Sequence, residues 1–120
     1  MTIKKVTSGL LSIALFCGIS VIGSFAIASA DMVEEGKKVA FDRKKGNCMT
    51  CHVMPGARLA GNIGPPLVAM KARFPDKTKL RAQIWDATAS NPKTIMPPFG
   101  LHRILSEKEI DLVTEYVHSL

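Results

Sequence analysis

Cysteine is scarce in this chain: three occur among 120 residues, at positions 17, 48 and 51. Only the last two are closely spaced, and no second pair follows. A structural zinc site needs about four ligands, usually supplied by a second pair, so that chemistry is excluded. No stretch alternates apolar and polar residues as a half-buried strand does. Without a strand–helix frame, a thioredoxin-like use of the C-x-x-C spacing is excluded as well. Aromatic residues make up only 6% of the chain, and none is interleaved with a basic cluster, which argues against a nucleic-acid-binding face. There is no internal repeat. The chain is long enough for one domain at most.

The first 30 residues read as a secretory signal. Lys4 and Lys5 open it, an apolar or small run covers 10–28, and Ala28-Ser29-Ala30 offers a small-residue cleavage site before Asp31. The competing reading is a retained membrane anchor, because the run is close to the shortest length that spans a bilayer. Cys17 lies within the run behind the large Phe16, where a lipoprotein cysteine would need a small residue, so it reads as an apolar filler. Cleavage would leave a domain at 31–120, exported to the periplasm. The formal charge of +6 would fall to +4, with 14 Lys and Arg against 10 Asp and Glu. A mildly basic protein of this kind suits docking to an acidic protein face.

At the centre of the remaining chain stands Cys48-Met49-Thr50-Cys51-His52. C-x-x-C-H is the attachment spacing of a c-type haem. Two thiols on a tight turn reach the two vinyl groups of one porphyrin, and the adjacent histidine meets the iron from one face. Export and this motif agree, since c-type haems are attached outside the cytoplasm. A domain of about 90 residues is small for a self-sufficient core, and a covalently held apolar ring would supply one. The low aromatic content fits that arrangement.

The flanking chain reads as all-α. A first helix is expected over 31–43, with Met32, Val39, Ala40 and Phe41 on its apolar face. Gly36 inside it is either tolerated or marks a close helix crossing. Residues 43–46 form a basic turn, either a docking patch or a solvated loop. Residues 53–63 are loop. Gly64-Pro65-Pro66-Leu67 then leads into a short helix over 66–73, since proline suits the first helical position. Pro65 keeps a carbonyl of the kind to which a metal-ligating histidine gives its other ring N–H. Asp76 caps a helix over 77–89 that buries Leu80, Ile84 and Ala87, with Trp85 beside them as packing or as a propionate partner. Asn91-Pro92 ends it. Ser106 and Glu109 form a capping box, with Leu105 and Ile110 as the staple, for a last helix that buries Ile110, Val113 and Val117.

A second axial ligand has several candidates. Met49 and Met54 lie too near the attachment turn to cross the ring. Met32 is near the frayed end, and Met70 sits on an expected helix as core. Met96, 44 residues beyond His52, precedes Pro97-Pro98 in an irregular loop. That is a stiff mount for a thioether. Its rival is His102, while His118 reads as a surface residue. Ligation by histidine and methionine raises the reduction potential and fills both axial positions. The alternative from another functional class is a haem enzyme or sensor with an open iron position.

These motifs resemble class I cytochromes c. In that family the first and last helices cross at a glycine–aromatic contact, here Gly36 and Tyr116, and the Gly-Pro carbonyl, here that of Pro65, accepts from the haem histidine. Gly46-Asn47-Cys48, residues 61–67, Asn91-Pro92 and Met96-Pro97-Pro98-Phe99-Gly100 resemble more closely the SoxX family, the small monohaem subunits of SoxAX cytochromes. The resemblance implies a haem c anchored by Cys48 and Cys51, with His52 and Met96 as axial ligands. It also implies a heterodimer with a SoxA-like haem subunit, and transient contact with a SoxYZ-like carrier and a downstream electron acceptor. In that family the complex couples thiosulfate to a carrier cysteine in the periplasm, and the catalytic haem belongs to the partner. No catalytic residue is expected in this chain. The other reading is a free cytochrome c that shuttles electrons to a terminal oxidase.

Overall fold

The structure, a computed structural model, describes residues 24–120. Most of the expected signal segment, Cys17 included, lies outside the described residues. Four α-helices run in order: α1 (Ser24–Phe41), α2 (Met70–Arg73), α3 (Lys77–Trp85) and α4 (Glu107–Ser119). Short 3-10 turns occupy Cys48–Thr50 and Ala87–Ala89. There is no strand among the described residues, so the domain is all-helical, as its sequence pattern requires. None of the helices described is long and apolar enough to cross a membrane.

The fold is organised by the crossing of α1 and α4. A methyl group added at Gly36 would lie 1.9 Å from the Leu112 carbonyl oxygen and 2.9 Å from Tyr116 Cβ. Only a residue without a side chain lets the two backbones meet there. Phe41 closes the crossing with its ring edge-on to Tyr116, 6.3 Å between centroids at 64°; such geometry suits aromatic quadrupoles. Around it lie Ala40, Ile110, Val113 and Val117, all buried.

α4 starts where its caps dictate. Glu109 N–H donates to Ser106 Oγ (3.3 Å), and Ser106 N–H donates to Glu109 Oε2 (2.9 Å). Leu105 and Ile110 are both buried beside the box, so the staple is present too. Lys45 also binds the Glu109 carboxylate, tying the basic turn to the start of α4. Lys77 pairs with Glu115 at 2.7 Å, and Arg81 pairs with Asp111 at 2.6 Å and with Glu107, so α3 is fastened along α4.

Five expectations need correction. α1 starts at Ser24 rather than Asp31, because the alanine-rich lead-in favours helix and nothing at Asp31 caps it. Its buried face runs through Val33, Gly36, Val39 and Ala40, and Met32 is exposed. Residues 66–69 are not helical. Leu67 N–H donates to Val53 O (2.8 Å) and Ala69 N–H to Leu120 O (2.9 Å), which holds the segment extended until Ala69, at φ +51°, turns it into α2. α3 stops at Trp85 rather than Ala89. Asp86 is extended and its side chain accepts from Thr88 N–H, so the carboxylate caps a new short turn instead of continuing the helix. Finally, His118 is half-buried, its Nε2 donating to the Phe74 carbonyl at 3.1 Å.

Two outcomes follow from these contacts. Gly36→Ala should force α1 and α4 apart and lower the Tm of the haem-loaded protein by about 10 °C or more. Lys37→Ala, on the exposed side, should leave stability within about 0.5 kcal/mol. The Glu109 carboxylate only accepts. It accepts from Lys45 and from Ser106, and these contacts hold its carboxyl at about 2, below the ordinary 4.5. A depressed acid stabilises the fold above its unfolded value and loses that contribution as pH falls. Glu109→Gln should therefore cost about 1 kcal/mol at pH 7. The gap from the parent, read by denaturant titration, should narrow below pH 4.5 and close near pH 2.

Candidate functional site

The attachment turn hangs from the end of α1. Asn47, in the left-handed region at φ 45°, turns the chain into the 3-10 segment, and His52 N–H donates to Cys48 O at 3.0 Å. Cys48, Cys51 and His52 are each half-buried. Residues 61–67 run alongside as a strap: Gly61 N–H donates to Met49 O (2.9 Å), Gly64 N–H to Cys51 O (2.8 Å) and Leu67 N–H to Val53 O.

The strap braces His52. Its Nδ1 lies 2.7 Å from the Pro65 carbonyl oxygen. A carbonyl can only accept, so Nδ1 carries the proton and Nε2 is left with its lone pair. This is the acceptor that the Gly-Pro motif led us to expect. Gly64 packs flat on the imidazole; a methyl group there would come within 2.4–2.9 Å of three ring atoms. The pressed ring and the hydrogen bond together leave it one orientation.

A cavity of about 570 Å³ opens beside the turn, within the ~300–1,000 Å³ range of cofactor pockets. Cys48, Cys51, His52 and Met96 all line it, together with core side chains such as Leu80 and Val113. The structure thus brings together every residue expected at the site. Burial pushes the Cys48 thiol up to about 11. A neutral thioether suits that environment better than a thiolate.

Of the rivals for the second ligand, His102 is exposed and is not among the cavity residues. Met70 does line the cavity, but it is a buried core residue whose sulfur accepts from Arg73 Nη1 at 3.3 Å. Met96 is half-buried, its N–H held by Thr94 Oγ1 at 3.2 Å. The loop that carries it is docked on α3. Gly100 N–H donates to Trp85 O (3.0 Å), and a methyl group at Gly100 would meet the Trp85 ring at 2.1 Å. Trp85 is therefore a packing platform for the methionine loop and does not line the cavity.

Sequence reasoning missed Arg73. Its Nη1 donates to the Pro66 carbonyl at 2.6 Å and to Met70, clamping the strap one residue beyond the histidine's acceptor. Its i, i+3 spacing from Met70 was the available signal.

A C-x-x-C-H turn, a braced histidine and an apolar cavity beside them define a cytochrome c domain. Residues 31–117 match the family model described as cytochrome C oxidase, cbb3-type, subunit III, and the chain belongs to that family. It carries a haem c through Cys48 and Cys51 and is an electron-transfer domain. A protein of Aquifex aeolicus (strain VF5), named as an uncharacterized lipoprotein, is 34% identical over 76 residues. The match covers 62% of this chain and 37% of that protein, so this chain spans well under half of its relative's length.

Gly64→Ala should push the imidazole off the Pro65 carbonyl. The fraction of exported protein that acquires c-type absorption should fall several-fold, while Ala60→Gly, outside the His52 contact, should leave it unchanged.

Proposed function

We propose that this domain is the SoxX-like electron-transfer subunit of a periplasmic sulfur-oxidising complex, with its haem iron held between His52 and Met96. The observation that carries the ligand assignment is the His52–Pro65 hydrogen bond at 2.7 Å, which leaves Nε2 as the ligating nitrogen. Met96 supports it as the cavity thioether with no side-chain donor on its sulfur among the described residues.

The haem supplies a one-electron couple. The chain's own residues do the rest. Cys48 and Cys51 anchor the ring, and His52 is kept in one tautomer by Pro65. A thioether supplied by Met96 would favour the ferrous state and raise the potential. If His52 and Met96 both held the iron, none of its positions would be left for substrate, and the described residues hold no cysteine beyond the haem pair; this reading therefore assigns thiosulfate coupling to the SoxA-like partner.

Several features support the SoxX-like reading. The segments that carry the resemblance, 61–67 and 96–100, are the ones that supply Ile63, Gly64, Pro65, Met96 and Phe99 to the cavity. The relative's printed name, a lipoprotein, agrees with a place outside the cytoplasm. The signal segment over 1–30 belongs to the same reading. The second reading is a free shuttle to a terminal oxidase; the family description names an oxidase subunit and so links the domain to such oxidases without making it a shuttle. A haem partner of the SoxA type that co-purifies in fixed ratio separates the two.

The oxidised protein should show the weak band near ~700 nm that marks methionine–iron ligation. Met96→Ala should abolish the band and let the reduced protein bind carbon monoxide rapidly. His102→Ala should change neither. An unaltered Met96→Ala spectrum would refute the ligand assignment.

A further inference from the structure

We infer that Arg81 is a positioning residue for the methionine loop: it holds the Trp85 indole in place, and through Trp85 the loop that presents Met96 to the cavity. This rests on the Met96 reading above and deepens it.

The loop over 91–101 is closed at its base by the end of α3 and the short turn after it. Asn91 N–H donates to Ala87 O at 3.1 Å, and the N–H groups of Gly100 and Leu101 both donate to Trp85 O, at 3.0 and 3.3 Å. Trp85 is the last residue of α3. Its carbonyl has no partner within the helix, and the loop supplies two. The hydrogen bonds of residues 93–96 stay inside the loop: Lys93 N–H to Asn91 Oδ1, Thr94 N–H to Asn91 O and Met96 N–H to Thr94 Oγ1. Its feet, together with the buried Phe99, therefore fix it against the domain.

Arg81 lies one helical turn before Trp85, and its guanidinium carbon sits 5.6 Å from the indole centroid, within cation–π range. Gly100 meets the same ring so closely that a methyl group there would lie 2.1 Å from two of its atoms. An unattached arginine could swing away from the ring, but this one is forked. Its Nε donates to Asp111 Oδ1 at 2.6 Å, and its Nη2 donates to Glu107. Glu107 and Asp111 are four residues apart, on one face of α4. They are 67% and 61% exposed, and pairs of that kind add little to stability. Their consequence is positional. A planar guanidinium given two fixed acceptors has one place to lie, and that place is over Trp85.

Lys77 supplies the contrast. It makes another α3–α4 ion pair, with Glu115 at 2.7 Å, but stands about two turns before Trp85. If Arg81 did no more than fasten α3 to α4, losing either cation would act alike on the loop.

The test uses the haem-loaded protein and two readouts. Hydrogen exchange at the Gly100 and Leu101 amides reads the latch without reference to the iron. Stopped-flow binding of carbon monoxide to the reduced protein reads how often Met96 lets go. Arg81→Ala should raise both rates about fivefold or more, because it frees local opening of the loop. Lys77→Ala should leave both within about twofold of the parent. Arg81→Lys keeps the charge without the fork and should fall between, with the fold least disturbed. In a Trp85→Leu background Arg81→Ala should add nothing, since its effect passes through the indole. Equal effects of Arg81→Ala and Lys77→Ala would overturn the assignment, as would no effect of Arg81→Ala, or its full effect in the absence of Trp85. If Met96→Ala leaves carbon monoxide binding unaltered, the axial-ligand reading falls, while amide exchange still decides whether Arg81 holds the loop.

Discussion

The contact at Gly36 is the constraint from which the rest follows. α1 and α4 approach so closely that one carbonyl occupies the space a side chain would need. Their crossing fixes where α1 ends, and the attachment turn hangs from that end. It also fixes the start of α4, to which Lys45 ties the same turn through Glu109. A small domain with little apolar surface of its own gains in this way a rigid frame around a space that a haem fills. The stiffness comes from main-chain contact, which leaves the core side chains free to face the ring.

The histidine is held by different means. Its orientation depends on two neighbours in the strap, Pro65 from behind and Gly64 against the ring face. The strap is itself pinned along residues 49–53 by main-chain hydrogen bonds, and clamped at Pro66 by Arg73. Supporting partners of this sort fix the tautomer and basicity of a ligating imidazole. Nothing in this bracing depends on the partner protein, so it serves either reading of the function.

Much of this was legible in the sequence where a residue type has one dominant use. C-x-x-C-H, the Ser106–Glu109 box and the Gly-Pro acceptor are local devices, and their geometry follows from spacing. Gly36 and Tyr116 were legible through resemblance. What could not be read depended on distant partners. Proline at position 66 suits a helix start, but long-range bonds from Leu67 and Ala69 hold that segment extended. Asp86 is the local exception: its carboxylate accepts from Thr88 N–H only two residues on, which ends the helix where the apolar pattern would have carried it further. His118 looked superficial because the Phe74 carbonyl that it meets is 44 residues away.

Two of the segments that line the cavity, residues 64–67 and 96–99, each contain consecutive prolines. Proline fixes φ and has no N–H to reorient. Walls built this way have few soft torsions and few dipoles free to swing when the charge on the iron changes. The nuclear rearrangement that must accompany each gain or loss of an electron is correspondingly small. The same prolines that give the site its shape thus lower the reorganisation energy of the transfer, letting a modest driving force move an electron quickly in either direction.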